Sequence, residues 1–226
     1  MTPSLSNLAL SAVLALAVLL PAPATAASPA SPAAPVAGVD YVEIADGQPF
    51  LATPGKIEVV EVFGYTCVHC AHFEPLVAAW KANLPADVVF RPVPAPFGGF
   101  WIPYARAFHA AKAQDLIGKT HGAMFRALHE DHSLPIANAT PAEIATFYAS
   151  HGADPRNFVA DMESEATDAK LQRAREFMFS SGVEGTPTLV VAGKYRVLGR
   201  SFQQMLDTAD ALVARERASR RRSGTD

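Results

Sequence analysis

Cysteine is almost absent from this chain: Cys67 and Cys70 are the only two in 226 residues. A structural zinc site takes four ligands, usually two cysteine pairs, and here there is one pair. A set made of these two with His69 and His72 would be cramped. Surplus positive charge is absent too. The 19 Lys and Arg face 22 Asp and Glu, a net charge of −3, so no electrostatic case for nucleic acid exists. The apolar run at residues 8–20 is shorter than the ~20 residues a membrane span wants. There is no internal repeat. What remains, 50% hydrophobic and 18% charged, describes an ordinary globular chain with a sizeable core.

The apolar run is followed by Ala24-Thr25-Ala26, a small-x-small cleavage site. Residues 1–26 therefore read as a secretory signal peptide, although no Lys or Arg precedes the run. An uncleaved anchor is the alternative. No cysteine follows, which excludes a lipoprotein anchor. Residues 27–38 are Ala, Pro and Ser with little else, a flexible leader too poor in core residues to fold. Export suits disulfide chemistry, because oxidised cysteines persist outside the cytosol.

The cysteines sit at a junction. Before them, residues 57–63 are β-branched and apolar apart from Glu58 and Glu61. After them, residues 71–83 form helix until Leu84-Pro85 stops it. Short strands are expected at 39–44 and 88–93. From Phe100 the character is helical: Tyr104, Phe108 and Ala111 share a face, and Met124, Phe125 and Leu128 form another cluster. Thr140-Pro141-Ala142-Glu143 is a capping box with Pro at the first helical position, and Asp154-Pro155 starts a helix similarly. Strand returns at 187–191, turns at Ala192-Gly193, and runs through 195–198. Ser201 caps a closing helix. His129 and His132 read as a solvated helix end. Arg215, Arg217, Arg220, Arg221 and Arg222 read as a frayed, solvated tail whose charge suits a helix C-terminus. Phe97, Phe100 and Trp101 could line an apolar surface, with core packing expected for at least two of them.

A Cys-x-x-Cys between a strand and a helix is a thioredoxin-like redox pattern. A static disulfide is the competing use. Across so short a loop it would take little entropy from the unfolded chain and stabilise little. Cys67 would meet the positive end of the helix dipole and free backbone N–H groups, and His69 can add a hydrogen bond or charge. Thiols in such settings titrate between about 3.5 and 7.5 rather than near 8.5. A thiolate exists only in the reduced form. A pKa of ~5.5 would favour that form by ~2 kcal/mol at pH 7, or ~45 mV.

The segment from Glu61 to Glu74, with Cys67-Val68-His69-Cys70 at its centre, resembles the DsbA family of periplasmic thiol–disulfide oxidoreductases. Gly185-Thr186-Pro187-Thr188 and the helical block between extend the resemblance to about residues 39–220. It implies an α/β thioredoxin-like fold, residues 39–96 and 182–226, with a helical domain, residues 97–181, inserted between the third and fourth strands. It implies that Cys67 forms a mixed disulfide, that Cys70 leaves and re-forms the bridge, and that Glu61 is a buried carboxyl exchanging protons with Cys70. It further implies that Pro187 is cis and that the Thr186 backbone pairs with an extended client, Val68 lying alongside. The best-known members carry proline where this chain has Val68, which bears on oxidising strength. Glu74, with Arg91 on the next strand, is expected to tune the site electrostatically. The function implied is oxidation of unfolded or partly folded exported proteins in the periplasm, by a monomer. It needs no metal and no cofactor beyond the Cys67–Cys70 disulfide. A DsbB-type inner-membrane quinone oxidoreductase would reoxidise it. Alternatives are a disulfide isomerase or reductase, which usually adds an N-terminal dimerisation domain, and a peptide-binding holdase with incidental cysteines. A cytosolic glutathione-transferase relative is disfavoured by the signal.

Overall fold

The strand-forming run before the cysteines becomes β2 (Ile57–Phe63), and all of its residues are buried. In the computed structural model, which describes residues 34–224, β2 lies inside a five-stranded sheet of order β1-β5-β4-β2-β3. The signal peptide assigned from sequence lies outside the described residues. β1 is Tyr41–Glu43, β3 Val88–Pro94, β4 Thr188–Val191 and β5 Tyr195–Val197. β2 pairs in parallel with β3 and antiparallel with β4. Hence both faces of β2 are covered, and its sequence reads as nearly continuous apolar residues.

Successive residues of β2 serve different cores. Ile57 and Val59 pack with Phe73 and Val77 of α1 (Val68–Lys81) and with Leu206, Ala209 and Leu212 of α7 (Phe202–Ser223). Val60 and Val62 face the opposite side, against Ala174, Phe177 and Met178 of α6 (Glu165–Ser180). Phe63, at the end of the strand, joins a third core built from α2 (Trp101–Ala113), α3 (Ile117–His129), α4 (Pro141–Ala149) and α5 (Pro155–Met162). Five helices, α2–α6, thus lie between the third and fourth strands, and their core includes Phe63, Tyr65 and Cys70.

The expected caps form. Thr140 Oγ1 accepts from the Glu143 N–H, and the Glu143 carboxylate accepts from the Thr140 N–H. Asp154 and Ser201 cap α5 and α7 through the backbone N–H three residues on. Thr140→Ala is expected to cost about 1 kcal/mol. A lower denaturant midpoint at unchanged slope would report it.

Three of the five C-terminal arginines, Arg215, Arg217 and Arg220, are tied to the fold, while Arg221 and Arg222 are exposed. α7 continues to Ser223. Arg217 makes two hydrogen bonds to Asp87, at 2.6 and 2.8 Å. Arg220 donates to the Lys56 carbonyl, and Arg215 reaches Glu43 and the Tyr41 hydroxyl. These three form a helix face that docks on the strand ends.

Candidate active site

α1 begins immediately after Cys67, which puts this residue at the helix start: Cys67 is extended (φ −90°, ψ 113°) and the Ala71 N–H already bonds to its carbonyl. No acidic residue occupies the first turn of α1. The positive end of the helix is therefore left to face the Cys67 sulfur. The approach to Cys67 is fixed from two sides. A Cβ on Gly64 would fall 2.0 Å from the Trp101 ring, so only glycine lets the indole lie against this loop. His129 Nε2 lies 2.7 Å from the Tyr65 carbonyl. His129 is thus an anchor for the loop and not part of a solvated helix end.

Cys67 is half-buried and Cys70 fully buried, both as free thiols. The Cys67 sulfur lies 3.5 Å from the Thr186 carbonyl oxygen, and the Thr186–Pro187 bond is cis. The Cys67 thiol is held down to about 5. The largest cause is a hydrogen bond from the Cys70 thiol, opposed by desolvation and reinforced by Thr186 and by the backbone N–H groups of Cys70 and His69. Burial pushes Cys70 the other way, far above the ordinary thiol range, and the neighbouring Cys67 adds to it. His69 contributes its backbone amide; its side chain points into solvent.

Glu61 is 2% exposed, on the α1 face of β2, and its Oε2 has no hydrogen-bond partner among the described residues. Burial raises its pKa to about 8, with Glu74 and Cys67 adding and Lys81 opposing. It is neither an exposed nor an edge glutamate. Glu74 is also buried. It lies 3.7 Å from Lys81 Nζ and 3.4 Å from His121 Nε2.

Arg91 does not join Glu74. Its guanidinium lies 2.7 Å from Glu58 and donates to Thr53 Oγ1. Glu58 also accepts from the Phe50 and Leu51 N–H groups, so this pair pins a loop to the sheet. The aromatic expectation is corrected as well. Phe97 and Phe100 are each 45% exposed, and only Trp101 packs into a core. The two phenylalanine rings instead rest on the Trp101 ring from outside. Val68, too, is exposed beside the cysteines.

Sequence reasoning passed over one group. His121 is buried, its Nδ1 is 2.8 Å from the Tyr65 hydroxyl, and Phe63, Phe108 and Phe125 surround its ring. With Nε2 protonated toward Glu74, Nδ1 accepts the Tyr65 hydroxyl. The spacing of His121 to Met124, Phe125 and Leu128 is the signal that could have found it, since i, i+3, i+4 and i+7 share one helix face.

Comparison with known proteins gives a consistent set. A family model described as a DSBA-like thioredoxin domain matches residues 102–210. The thiol:disulfide interchange protein DsbA of Pseudomonas aeruginosa is 38% identical over 216 residues, spanning 94% of this chain and 98% of that protein. The protein of the same name from Azotobacter vinelandii is 40% identical over 185 residues, spanning 80% and 85%. The crystal structure of the oxidoreductase DsbA from Xylella fastidiosa is similar, with a TM-score of 0.80 and 50% identity. It covers 82% of this chain and 99% of its own.

Proposed function

The chain belongs to the DsbA family of thiol:disulfide interchange proteins, and we propose that it oxidises exported proteins in the periplasm through a mixed disulfide at Cys67. It is a thiol:disulfide oxidoreductase. The observation that carries the direction of transfer is the asymmetry of the pair: Cys67 is held at about 5 while Cys70 is pushed far up. A client thiolate attacks Cys67 Sγ, and the Cys67–Cys70 bond breaks. Cys70 departs and, being buried with a raised pKa, takes a proton. Glu61, titrating at about 8, is protonated near neutral pH and supplies it. A second client thiolate then attacks the client sulfur of the mixed disulfide. The client disulfide forms and Cys67 leaves as a stable thiolate, the better leaving group for its low pKa. Two electrons pass from client to protein.

In this proposal residues 39–96 and 182–226 form the redox domain and 97–181 the insert. Glu74 acts on Glu61 through its charge, and His69 and Val68 present the exposed lip of the site. The Thr186 backbone and Pro187 bind the client, supported by the contact of the Thr186 carbonyl with Cys67. Residues 1–26 direct export. Turnover uses the Cys67–Cys70 disulfide alone and returns it through a DsbB-type quinone-linked membrane partner. The protein works as a monomer.

The test is to equilibrate the mature protein in glutathione buffers and to follow the thiolate by ultraviolet absorbance. A midpoint near pH 5 and an oxidising potential are expected. A thiol titrating near 8.5 with a strongly reducing potential would overturn the oxidase reading.

A further inference from the structure

A groove of about 290 Å³ opens beside Pro187, lined by Thr188, Val39, Met205, Arg196 and Arg200 among others. It adjoins the reactive sulfur through Thr186, whose carbonyl oxygen lies 3.5 Å from Cys67 Sγ. Its apolar side chains, Val39, Leu198 and Met205 among them, suit any extended chain. The two arginines do not follow from that need. Five other arginines are ion-paired, Arg91 with Glu58, Arg106 with Asp168, Arg215 with Glu43, Arg217 with Asp87 and Arg220 with Glu216; of those that are not, Arg196 and Arg200 are the two that line this groove. Among the described residues neither Arg196 nor Arg200 has a carboxylate within ion-pair distance. Arg196 Nε is buried and has no hydrogen-bond partner among them, and its guanidinium lies over Gly182 at 3.6–4.0 Å from where a Cβ would stand.

No carboxylate lines the groove. The nearest acid in sequence, Asp40, already accepts from the Val36 N–H and from Gln204 Nε2. A planar guanidinium is suited to bind a carboxylate with two parallel hydrogen bonds. The groove therefore lies beside Pro187, mixes apolar side chains with polar surface, and carries two guanidinium groups with no acid of its own.

We propose that Arg196 and Arg200 select clients, recognising an Asp or Glu side chain near the cysteine to be oxidised. This rests on the oxidase reading and adds a substrate class to it. An extended client crossing Thr186 and Pro187 would lay flanking side chains along the groove, where a carboxylate pairs with the guanidinium groups of Arg196 and Arg200. Glutamine has the shape without the charge, and lysine is repelled.

The experiment uses the oxidised mature protein and three reduced two-cysteine peptides. They differ only in carrying Glu, Gln or Lys at the positions flanking the first cysteine. Stopped-flow rates of oxidation are compared, with dithiothreitol as a small dithiol that does not reach the groove. The Glu peptide is expected to react about 2- to 5-fold faster than the Gln peptide, the scale of one favourable charge contact. The Lys peptide is expected to be slowest, and the spread to shrink as salt rises. In Arg200→Gln and in Arg196→Gln the Glu-to-Gln ratio should fall toward 1. Arg200 is exposed, so its variant remains informative even where Arg196→Gln disturbs β5. Equal rates for the three peptides with the parent protein, or a ratio unchanged in both variants, overturn the proposal. A protein that oxidises neither peptides nor dithiothreitol overturns the oxidase reading, and this inference with it.

Discussion

Cys67→Ser is expected to abolish disulfide transfer to a reduced client, with no residual rate above the uncatalysed background. Serine offers no sulfur for the client to attack, and none of the described residues supplies another thiol near Cys70. The position is half-buried at the start of α1, and the loop before it is held by Trp101 packing and by His129. The substitution is therefore expected to leave the fold intact, and far-ultraviolet circular dichroism checks that directly. Cys70→Ser is the companion. Cys67 can then form a mixed disulfide by attacking glutathione disulfide or an oxidised client, with one thiol leaving, but has no internal thiol to release it, so the adduct should accumulate on non-reducing gels. If the parent itself transfers no disulfide while both variants protect unfolded clients equally well, the cysteines are incidental and the holdase alternative stands.

Glu61→Gln should stabilise the protein and slow it. An unfolded carboxyl titrates near 4.3, whereas Glu61 in the fold titrates at about 8. The sign follows from proton binding. Below about pH 4 both states are protonated and Glu61 costs nothing. Between the unfolded and folded values the folded state keeps a proton that the unfolded state has released, so stability falls as pH rises. Above about 8 the penalty levels off. At pH 7 it is about 3 kcal/mol for a fully buried group. A glutamine side chain cannot ionise in either state, so Glu61→Gln should gain about 2–3 kcal/mol at pH 7 and nothing at pH 4. Urea unfolding at the two pH values measures this. In the same variant, release of Cys70 during the first exchange should lose its proton donor, and the rate should lose its inflection near pH 8. A variant equally stable at both pH values, with an unchanged pH–rate profile, would remove Glu61 from the mechanism.

Some of this was readable from sequence for a simple reason: it is local. The strand-to-helix junction at Cys67, the Thr140–Glu143 box, the Asp154 and Ser201 caps and the Ala192-Gly193 turn depend on residues within a few positions of one another. The order of strands followed from where the helical block begins and ends. What was not readable depends on contacts between distant elements. Arg91 lies opposite Val60 in the sheet register, one position from the level of Glu61. Which acid it meets depends on the loop that brings Phe50 and Leu51 to Glu58. Nothing in the spacing of Glu74 and Arg91 encodes that. His129 reads as solvated, being near charged residues at a helix end, and the role of His121 does not show until the opposite wall, Phe63 and Tyr65, is in place. Phe97 and Phe100 failed the opposite way. Aromatic side chains suggest core, but here Trp101 alone fills the space over Gly64 and leaves its two neighbours outside.

The bare first turn of α1 has one more consequence. An acid there would have neutralised the helix permanently, and none is present. The charge that completes the helix is instead the sulfur of Cys67, which carries it only after a client has given up its electrons. In the oxidised protein the same amides face an uncharged bridge. The two electrons taken from a client are therefore stored as a helix cap, put on at the end of each transfer and removed when the disulfide is restored.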